Sequence, residues 1–514
     1  MAIEINPKRA RTIMVQGTAS HAGKTIITTA LCRIFRDMGL RTAPFKAQNM
    51  ALNAFVTAGG GEIGVAQALQ ARAAGISPTV DMNPLLLKPT GDAVSQVIIH
   101  GRVHGTMSAV EYHGFKGEAM AFVEESFSRL AAEHDVVVLE GAGSPAEINL
   151  RENDIANMGV ASMTDSPVVL VGDIDRGGVF ASIVGTMELL EPHERDRIKA
   201  FIINKFRGDI SLLQPGLDFL TGRTGIETLG VIPYMEAMNL PDEDGVALER
   251  AMRCAGEQGR NSKGEARVRI VVIKLPRISN FTDFDPLREE PHVSFEFVVN
   301  PEGIEGADMV VVPGSKNTQS DLKWLADRGF ARALGKYRAS GGNIMGICGG
   351  FQILGRSIRD PHGVESATSC SEGLGFLDIE TTLCKEKSTF NVEARPLCVS
   401  MGREVVKGFE IHTGESTPSK RPLFTITRRG EAPVEILDGA LSEDGRVRGT
   451  YIHGLFHNEG LRQSILAPLA SARGLPYLDS TPYEESLEQN LNTLAMRARE
   501  SLNMERLLEI MGIS

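Results

Sequence analysis

The chain has 514 residues, 42% hydrophobic and 23% charged, with 54 Lys and Arg against 65 Asp and Glu for a formal net charge of −11. That composition excludes a disordered chain, and an acidic balance without a basic block argues against nucleic acid or an anionic membrane as the main partner. At about 150 residues per domain, the length allows two large domains or three smaller ones.

The opening stretch, MAIEINPKRARTIMVQG, lacks the apolar core and small-residue cleavage site of a secretory signal. No apolar run approaches the roughly 18 residues of a membrane helix. Six scattered cysteines (Cys32, Cys254, Cys348, Cys370, Cys384, Cys398) include no C-x-x-C pair. They fit a reducing compartment better than a disulfide framework, so a soluble cytoplasmic protein is expected.

In chain order, short apolar runs at Thr12–Val15, Val136–Leu139, Val168–Val171 and Phe201–Ile203 read as parallel strands covered on both faces. Helical stretches such as Ile26–Met38 and Gly117–Glu133 lie between them. The alternation predicts an α/β fold, a doubly wound, mostly parallel sheet over residues 1–252. Residues 253–267, RCAGEQGRNSKGEAR, are polar and aperiodic and read as a linker. Strand signals restart at Arg269–Leu275, Met309–Val312 and Asn343–Ile347, so residues 268–514 are expected to form a second α/β domain. Leu487, Leu491, Leu494, Ala498 and Leu502 recur at helical spacing, predicting a C-terminal helix packed on that second domain.

The first chemical motif follows the first strand. Gly17-Thr18-Ala19-Ser20-His21-Ala22-Gly23-Lys24-Thr25 opens a helix, so its backbone N–H groups can cradle phosphate oxygens. Lys24 can reach the β- and γ-phosphates of ATP, and the Thr25 hydroxyl can ligate Mg²⁺. A metal–nucleotide site also needs a carboxylate at a strand end, and Glu140 in Leu139-Glu140-Gly141-Ala142-Gly143 offers one. Asp154 and Asp173 are alternatives for the metal.

The second motif, Gly346-Ile347-Cys348-Gly349-Gly350, reads as strand, tight turn and helix, the thiol counterpart of a nucleophile elbow. The helix N-terminus favours the Cys348 thiolate, and the Gly349 N–H is placed as an oxyanion-hole donor. A second donor is expected from the turn Pro313–Lys316, at Gly314. His453, after a short strand, is the expected general base and acid, with His412 and His457 as rivals. The other five cysteines lack an elbow and read as packing residues.

G-x₅-G-K-T with a later E-G-A-G resembles the dethiobiotin synthetase branch of P-loop enzymes, which phosphorylate a carboxylate or carbamate with ATP. The Cys348 elbow with His453 resembles a class I glutamine amidotransferase domain, which releases ammonia from glutamine. Usual members carry H-x-E, whereas Gly454 and Leu455 follow His453, a departure shared by the cobyrinate/cobyric acid synthase family. Across nearly the whole chain the sequence resembles that family. The carrying runs include Pro44–Met50, Asn83–Pro89, Ser95–Val97, Glu152–Met158, Asp173–Phe180, Asn204–Asp209 and Arg277–Asp285.

The resemblance implies ATP- and glutamine-dependent amidation of the b, d, e and g carboxylates of adenosylcobyrinic acid a,c-diamide. It implies ATP, Mg²⁺ and glutamine as reactants, a small corrinoid as partner, and a homodimer as one open assembly. Lys46, Asp175 and Arg176 are the foremost candidates for binding the corrinoid polyacid, ahead of Lys88, Lys205 and Arg207. Two alternatives remain: a cobyrinate a,c-diamide synthase, or a P-loop switch ATPase with an inactive amidotransferase-like binding module.

Overall fold

The computed structural model describes residues 10–91, 93–235, 238–241, 267–366, 368–477 and 481–513. The expected linker therefore lies, apart from Arg267, outside the described residues. The chain forms two compact units, one of Met1–Ala51, Gly61–Leu240 and Leu487–Ser514, the other of Leu52–Gly60 and Pro241–Ser486. No described helix is long and apolar enough to cross a membrane.

The first unit is built on strands β1 (Arg11–Gly17), β2 (Thr42–Phe45), β3 (Val136–Glu140), β4 (Val168–Asp173), β5 (Ile198–Phe206) and β6 (Thr228–Pro233). Among the described residues these form a sheet ordered β6-β5-β4-β1-β3-β2, parallel throughout. Every residue of β3 is buried, as an apolar run in a sheet covered on both faces requires. Helices α1 (Lys24–Asp37), α2 (Val65–Ala74) and α3 (Ala109–Glu133) belong to the same unit. The register sets Val15 beside Glu140 and Gly17 beside Val171. The chain therefore leaves β1 at the carboxyl edge of the sheet, next to the end of β3.

The C-terminal segment departs from expectation. It forms two helices, Tyr483–Ser501 and Met504–Met511, and Leu487–Ser514 groups with the first unit. Two features hold it there. The Glu488 carboxylate takes hydrogen bonds from Arg33 and, at 2.7 Å, from Arg72, and Asn503 N donates to Leu229 O at 2.8 Å. The helical spacing correctly marks a buried face but carries no information about which unit that face meets.

The second unit has its own parallel sheet, from β7 (Val268–Ile273), β8 (Val293–Val298), β9 (Met309–Val312), β10 (Asn343–Ile347), β11 (Ala440–Leu441) and β12 (Val447–Thr450). Its order is β8-β7-β9-β10-β12-β11, with only the β11 edge antiparallel. A second, largely antiparallel sheet is centred on the long strand Glu380–Pro396, which pairs with Val406–Ser416 and Phe424–Arg429. This sheet was not expected. Its long strand mixes buried and exposed positions without clean alternation, so the sequence gives little period-two signal there.

Candidate active sites

In the first unit, α1 begins at Lys24 behind Gly23, whose φ of 106° is a left-handed conformation suited to glycine. A Cβ on Gly23 would lie 2.0 Å from Asn204 Nδ2, and that amide donates to Ala22 O at 2.9 Å. Gly17 is also tight, its absent Cβ facing Lys24 Cγ at 3.2 Å. The Thr18 N–H continues the sheet by donating to Val171 O at 2.9 Å. Lys24, largely buried, donates from Nζ to Ala19 O at 3.0 Å and to Gly143 O at 2.7 Å, so it spans the loop and the Glu140-Gly141-Ala142-Gly143 turn.

Glu140 is the hub. Its Oε1 accepts from Thr25 Oγ1 at 2.8 Å and Lys46 Nζ at 2.9 Å, and its Oε2 from Gln70 Nε2 at 2.5 Å. Burial pushes the carboxyl pKa up, but Lys46, Gln70 and Thr25 together outweigh burial and hold it below the usual glutamate value. Glu140 therefore stays ionised. Burial, reinforced by Glu140, pushes the nearby Cys32 thiol up, which suits an inert packing cysteine.

The donor set suits Mg²⁺. That ion is commonly held by one or two carboxylates together with substrate phosphates and waters. Thr25 and Glu140 supply hard oxygens side by side. The buried amide oxygens of Gln16, Gln70 and Asn157 accept no hydrogen bond among the described residues. Of the alternative carboxylates, Asp154 is committed to capping. Its Oδ1 accepts from Ala156 N and Asn157 N at 2.8 and 2.9 Å, and its Oδ2 from Gly159 N at 3.0 Å. Asp173 Oδ2 accepts from Lys205 Nζ at 2.6 Å, and the same Nζ donates to His21 O at 2.7 Å. Lys205 thus braces the phosphate loop instead of standing free for a substrate. Lys88 is likewise committed, buried in an ion pair with Glu62. Asp175 pairs with Arg207 at 3.1 Å on an exposed turn, where Arg176 makes no ion pair with a described residue. Lys46 joins the Glu140 cluster, and Asp175 and Arg176 do not. Gln70 was missed by sequence reasoning because nothing in α2 marks it as reaching a strand end.

In the second unit, β10 delivers Cys348 with φ 51° and ψ −110°, a strained elbow. The flanking glycines are sterically required. A Cβ on Gly350 would lie 1.9 Å from Val312 O, and one on Gly346 2.7 Å from Gly350 O. The register places Ile347 beside Thr450, and Cys348 N donates to Thr450 O at 2.8 Å. His453 follows directly from β12. Its ring stacks on Phe409 with centroids 5.1 Å apart and interacts with the Cys348 sulfur.

The carboxylate absent after His453 comes from far upstream. Asp283 Oδ2 lies 2.6 Å from His453 Nδ1, and Asp283 Oδ1 accepts from Gly454 N at 2.8 Å. Both side chains are buried. Burial alone would lower the imidazole pKa, but Asp283 and Cys348 outweigh it and raise it to about 10. Of the rivals, His412 stacks on Tyr451 and bonds Gly414 O at 2.8 Å, and burial lowers the pKa of His457, which lies 3.2 Å from Thr282 O. The turn expected to complete an oxyanion hole adjoins the site. A Cβ on Gly314 would sit 3.1 Å from His453 Cε1, and one on Gly349 2.9 Å from Ser315 N. Asp283 lies within the run Arg277–Asp285, but no spacing rule links it to His453.

Comparison with known proteins finds two matching stretches of the chain. Residues 13–247 match the CobQ/CobB/MinD/ParA nucleotide binding domain, and residues 269–461 match the CobB/CobQ-like glutamine amidotransferase domain. The chain is 49% identical over 521 residues to a protein named cobyric acid synthase from Sorangium cellulosum, covering 98% of this chain and 99% of that one. A cobyric acid synthase from Caldanaerobacter subterraneus is 49% identical over 508 residues, covering 97% and 98%. Among solved structures, PurLQS from Thermotoga maritima is similar at 20% identity and TM-score 0.29, over 40% of this chain and 99% of that one.

Proposed function

Because the chain belongs to the cobyric acid synthase family, we propose that it amidates peripheral carboxylates of a corrinoid acid with ammonia drawn from glutamine. The family resemblance specifies the b, d, e and g carboxylates of adenosylcobyrinic acid a,c-diamide. The chemistry divides between the two units. In the first, a substrate carboxylate oxygen attacks the γ-phosphorus of ATP, the bond to the bridging oxygen breaks, and ADP leaves. The acyl phosphate then has a good leaving group where the free carboxylate had none. Ammonia adds to the acyl carbon and inorganic phosphate departs, leaving the amide.

Lys24 is the cation for the β- and γ-phosphates, and the Gly17–Thr25 loop is the cradle. Thr25 and ionised Glu140 are the residues to hold Mg²⁺, which when bound neutralises charge on the phosphoryl oxygens. Lys46, paired with Glu140, is assigned to meet a substrate carboxylate or the transferred phosphoryl group. Asp175 and Arg176, on their exposed turn, stay candidates for binding the corrinoid acid.

In the second unit the Cys348 thiolate attacks the glutamine amide carbon. Backbone N–H groups at Gly349 and the Gly314 turn stabilise the tetrahedral oxyanion. His453 gives its Nε2 proton to the departing nitrogen, and ammonia leaves. His453 then takes a proton from water, which cleaves the thioester to glutamate. Asp283 keeps the imidazole in the tautomer that presents Nε2 to the sulfur.

The observation that carries this reading is the 2.6 Å contact of buried Asp283 with His453 beside the Cys348 elbow, since a degenerate binding module has no use for a buried carboxylate held on an imidazole beside a thiol. Incubating the protein with cobyrinic acid diamide, ATP, Mg²⁺ and glutamine, read by mass spectrometry, tests it. Four successive carboxylate-to-amide conversions are expected. An unchanged diamide beside a parallel incubation in which cobyrinic acid is amidated at its a and c carboxylates, or ATP hydrolysis with no amide formed, would overturn it.

A further inference from the structure

Asn280 sits on the catalytic imidazole, and its conformation is imposed from outside the amidotransferase sequence. Its backbone is left-handed, with φ 53°, and its side chain is buried. Asn280 Oδ1 accepts from Ala54 N at 3.1 Å, which fixes the orientation of the amide. The other end, Nδ2, therefore faces His453 Nε2, 3.3 Å away. Asn53, fully buried, returns the contact, its Oδ1 accepting from Phe281 N at 2.9 Å. The Leu52–Gly60 segment is anchored further by Asn391 Nδ2, which donates to Val56 O and Thr57 O at 3.1 and 3.0 Å.

An amide Nδ2 is only a donor. It can bond Nε2 while that nitrogen carries a lone pair, and it opposes Nε2 once protonated. Nε2 is the atom that must receive the Cys348 proton, because Nδ1 is engaged by Asp283. The same turn thus carries one residue that supports the imidazolium, Asp283, and one that opposes it, Asn280.

We propose that Asn280, clamped by the Leu52–Gly60 segment, is a positioning residue that restrains His453 and keeps glutamine hydrolysis low until that segment shifts. The proposal rests on the assignment of Cys348 and His453 given above. The segment is chain-continuous with the phosphate-binding unit on both sides. It follows Gln48–Met50, just beyond Lys46, which is bonded to Glu140, and it precedes Glu62, which is paired with Lys88. Engagement of nucleotide and acid at Lys46 and Glu140 therefore has a covalent path of a few residues to Asn53. Release of Asn280 on that engagement would tie ammonia production to the presence of an acceptor, and by linkage glutamine would strengthen acceptor binding in turn.

The full-length Asn280→Asp variant keeps the acceptor for Ala54 N and turns the group at Nε2 from donor to acceptor. Its glutaminase rate without ATP or corrinoid is expected to rise about tenfold, the scale of one hydrogen bond made or lost at a buried group. Stimulation by ATP plus corrinoid should fall by the same factor. Alkylation of Cys348 by iodoacetamide, followed on its peptide, should extend to lower pH. Amidation from free ammonia should be unchanged. Asn53→Ala should move the basal rate in the same direction by a smaller factor. A folded Asn280→Asp variant, shown by intact ammonia-dependent amidation, with a basal rate at or below wild type would overturn the proposal. If that variant loses ammonia-dependent amidation as well, Asn53→Ala decides, and an unchanged stimulation ratio overturns it. Glutamine hydrolysis surviving Cys348→Ala would instead remove the underlying assignment.

Discussion

Replacing Asp283 by Asn keeps the shape of the side chain and removes its charge. In the native protein its two oxygens accept from His453 Nδ1 at 2.6 Å and Gly454 N at 2.8 Å. Hydrogen bonds to a charged group contribute about 1.5–3 kcal/mol, and the amide keeps one acceptor, so about one such bond is lost. Glutaminase turnover should then fall about 10- to 100-fold. The pH behaviour is the sharper readout. Burial pulls the His453 pKa down, and Asp283 with Cys348 lifts it from 6.5 to about 10. Without the carboxylate the titration should slide back toward neutrality and carry the alkaline limb of the glutaminase profile with it. Stability follows the same sign. A folded pKa raised above the unfolded value stabilises fully below about 6.5, and the contribution is lost as pH rises through about 10. The gap in melting temperature between wild type and Asp283→Asn should therefore be widest in mild acid and close in alkali. Steady-state glutaminase assays and thermal melts across pH would measure both. Ammonia-dependent amidation should not change. A variant with native turnover and an unmoved alkaline limb would refute the role given to Asp283.

Cys348→Ala should lose glutamine-dependent amidation and retain amidation from free ammonia, measured as corrinoid amide formed from each nitrogen source. Lys24→Ala should abolish amidation from both sources while leaving glutamine hydrolysis measurable, since Ala19 O and Gly143 O, to which Lys24 donates, both belong to the first unit. Gly23→Ala meets two obstacles, a φ of 106° and a Cβ placed 2.0 Å from Asn204 Nδ2, so nucleotide binding by calorimetry should be lost or the unit destabilised by more than about 1 kcal/mol. Gly314→Ala places a methyl 3.1 Å from His453 Cε1, and its glutaminase kcat should drop with nucleotide binding untouched.

The parts of the molecule legible in the sequence were those whose chemistry is written in consecutive residues. The phosphate loop, the elbow and the strand preceding His453 each need strand, turn and helix in immediate succession, so Gly17–Thr25 and Gly346–Gly350 announced themselves. Glu140 was readable because a buried apolar run ends on it. Asp283 was not, because it is 170 residues from the imidazole it contacts and the two turns meet only in the folded unit. Gln70 and Asn280 were hidden for the same reason. The tail shows the limit differently. Its apolar period gave a buried face, but the choice of unit rests on Glu488 meeting Arg33 and Arg72, contacts that no periodicity encodes.

The two sites answer opposite electrostatic demands by one device. In the function proposed above, Glu140 stays ionised in a dry interior to hold a cation, and His453 takes up a proton in an equally dry one and passes it on. Burial opposes each charge, and in each a charged partner reverses the balance, Lys46 for Glu140 and Asp283 for His453. Removing one member of a buried ion pair leaves the other stranded, at a cost of about 3–5 kcal/mol. Lys46→Met should accordingly weaken the first unit as well as its chemistry, because the Glu140 left behind either protonates or disrupts the cluster with Thr25 and Gln70. Within each unit the partners are far apart in sequence, so the charge states that the chemistry needs arise only once the sheets have set their register.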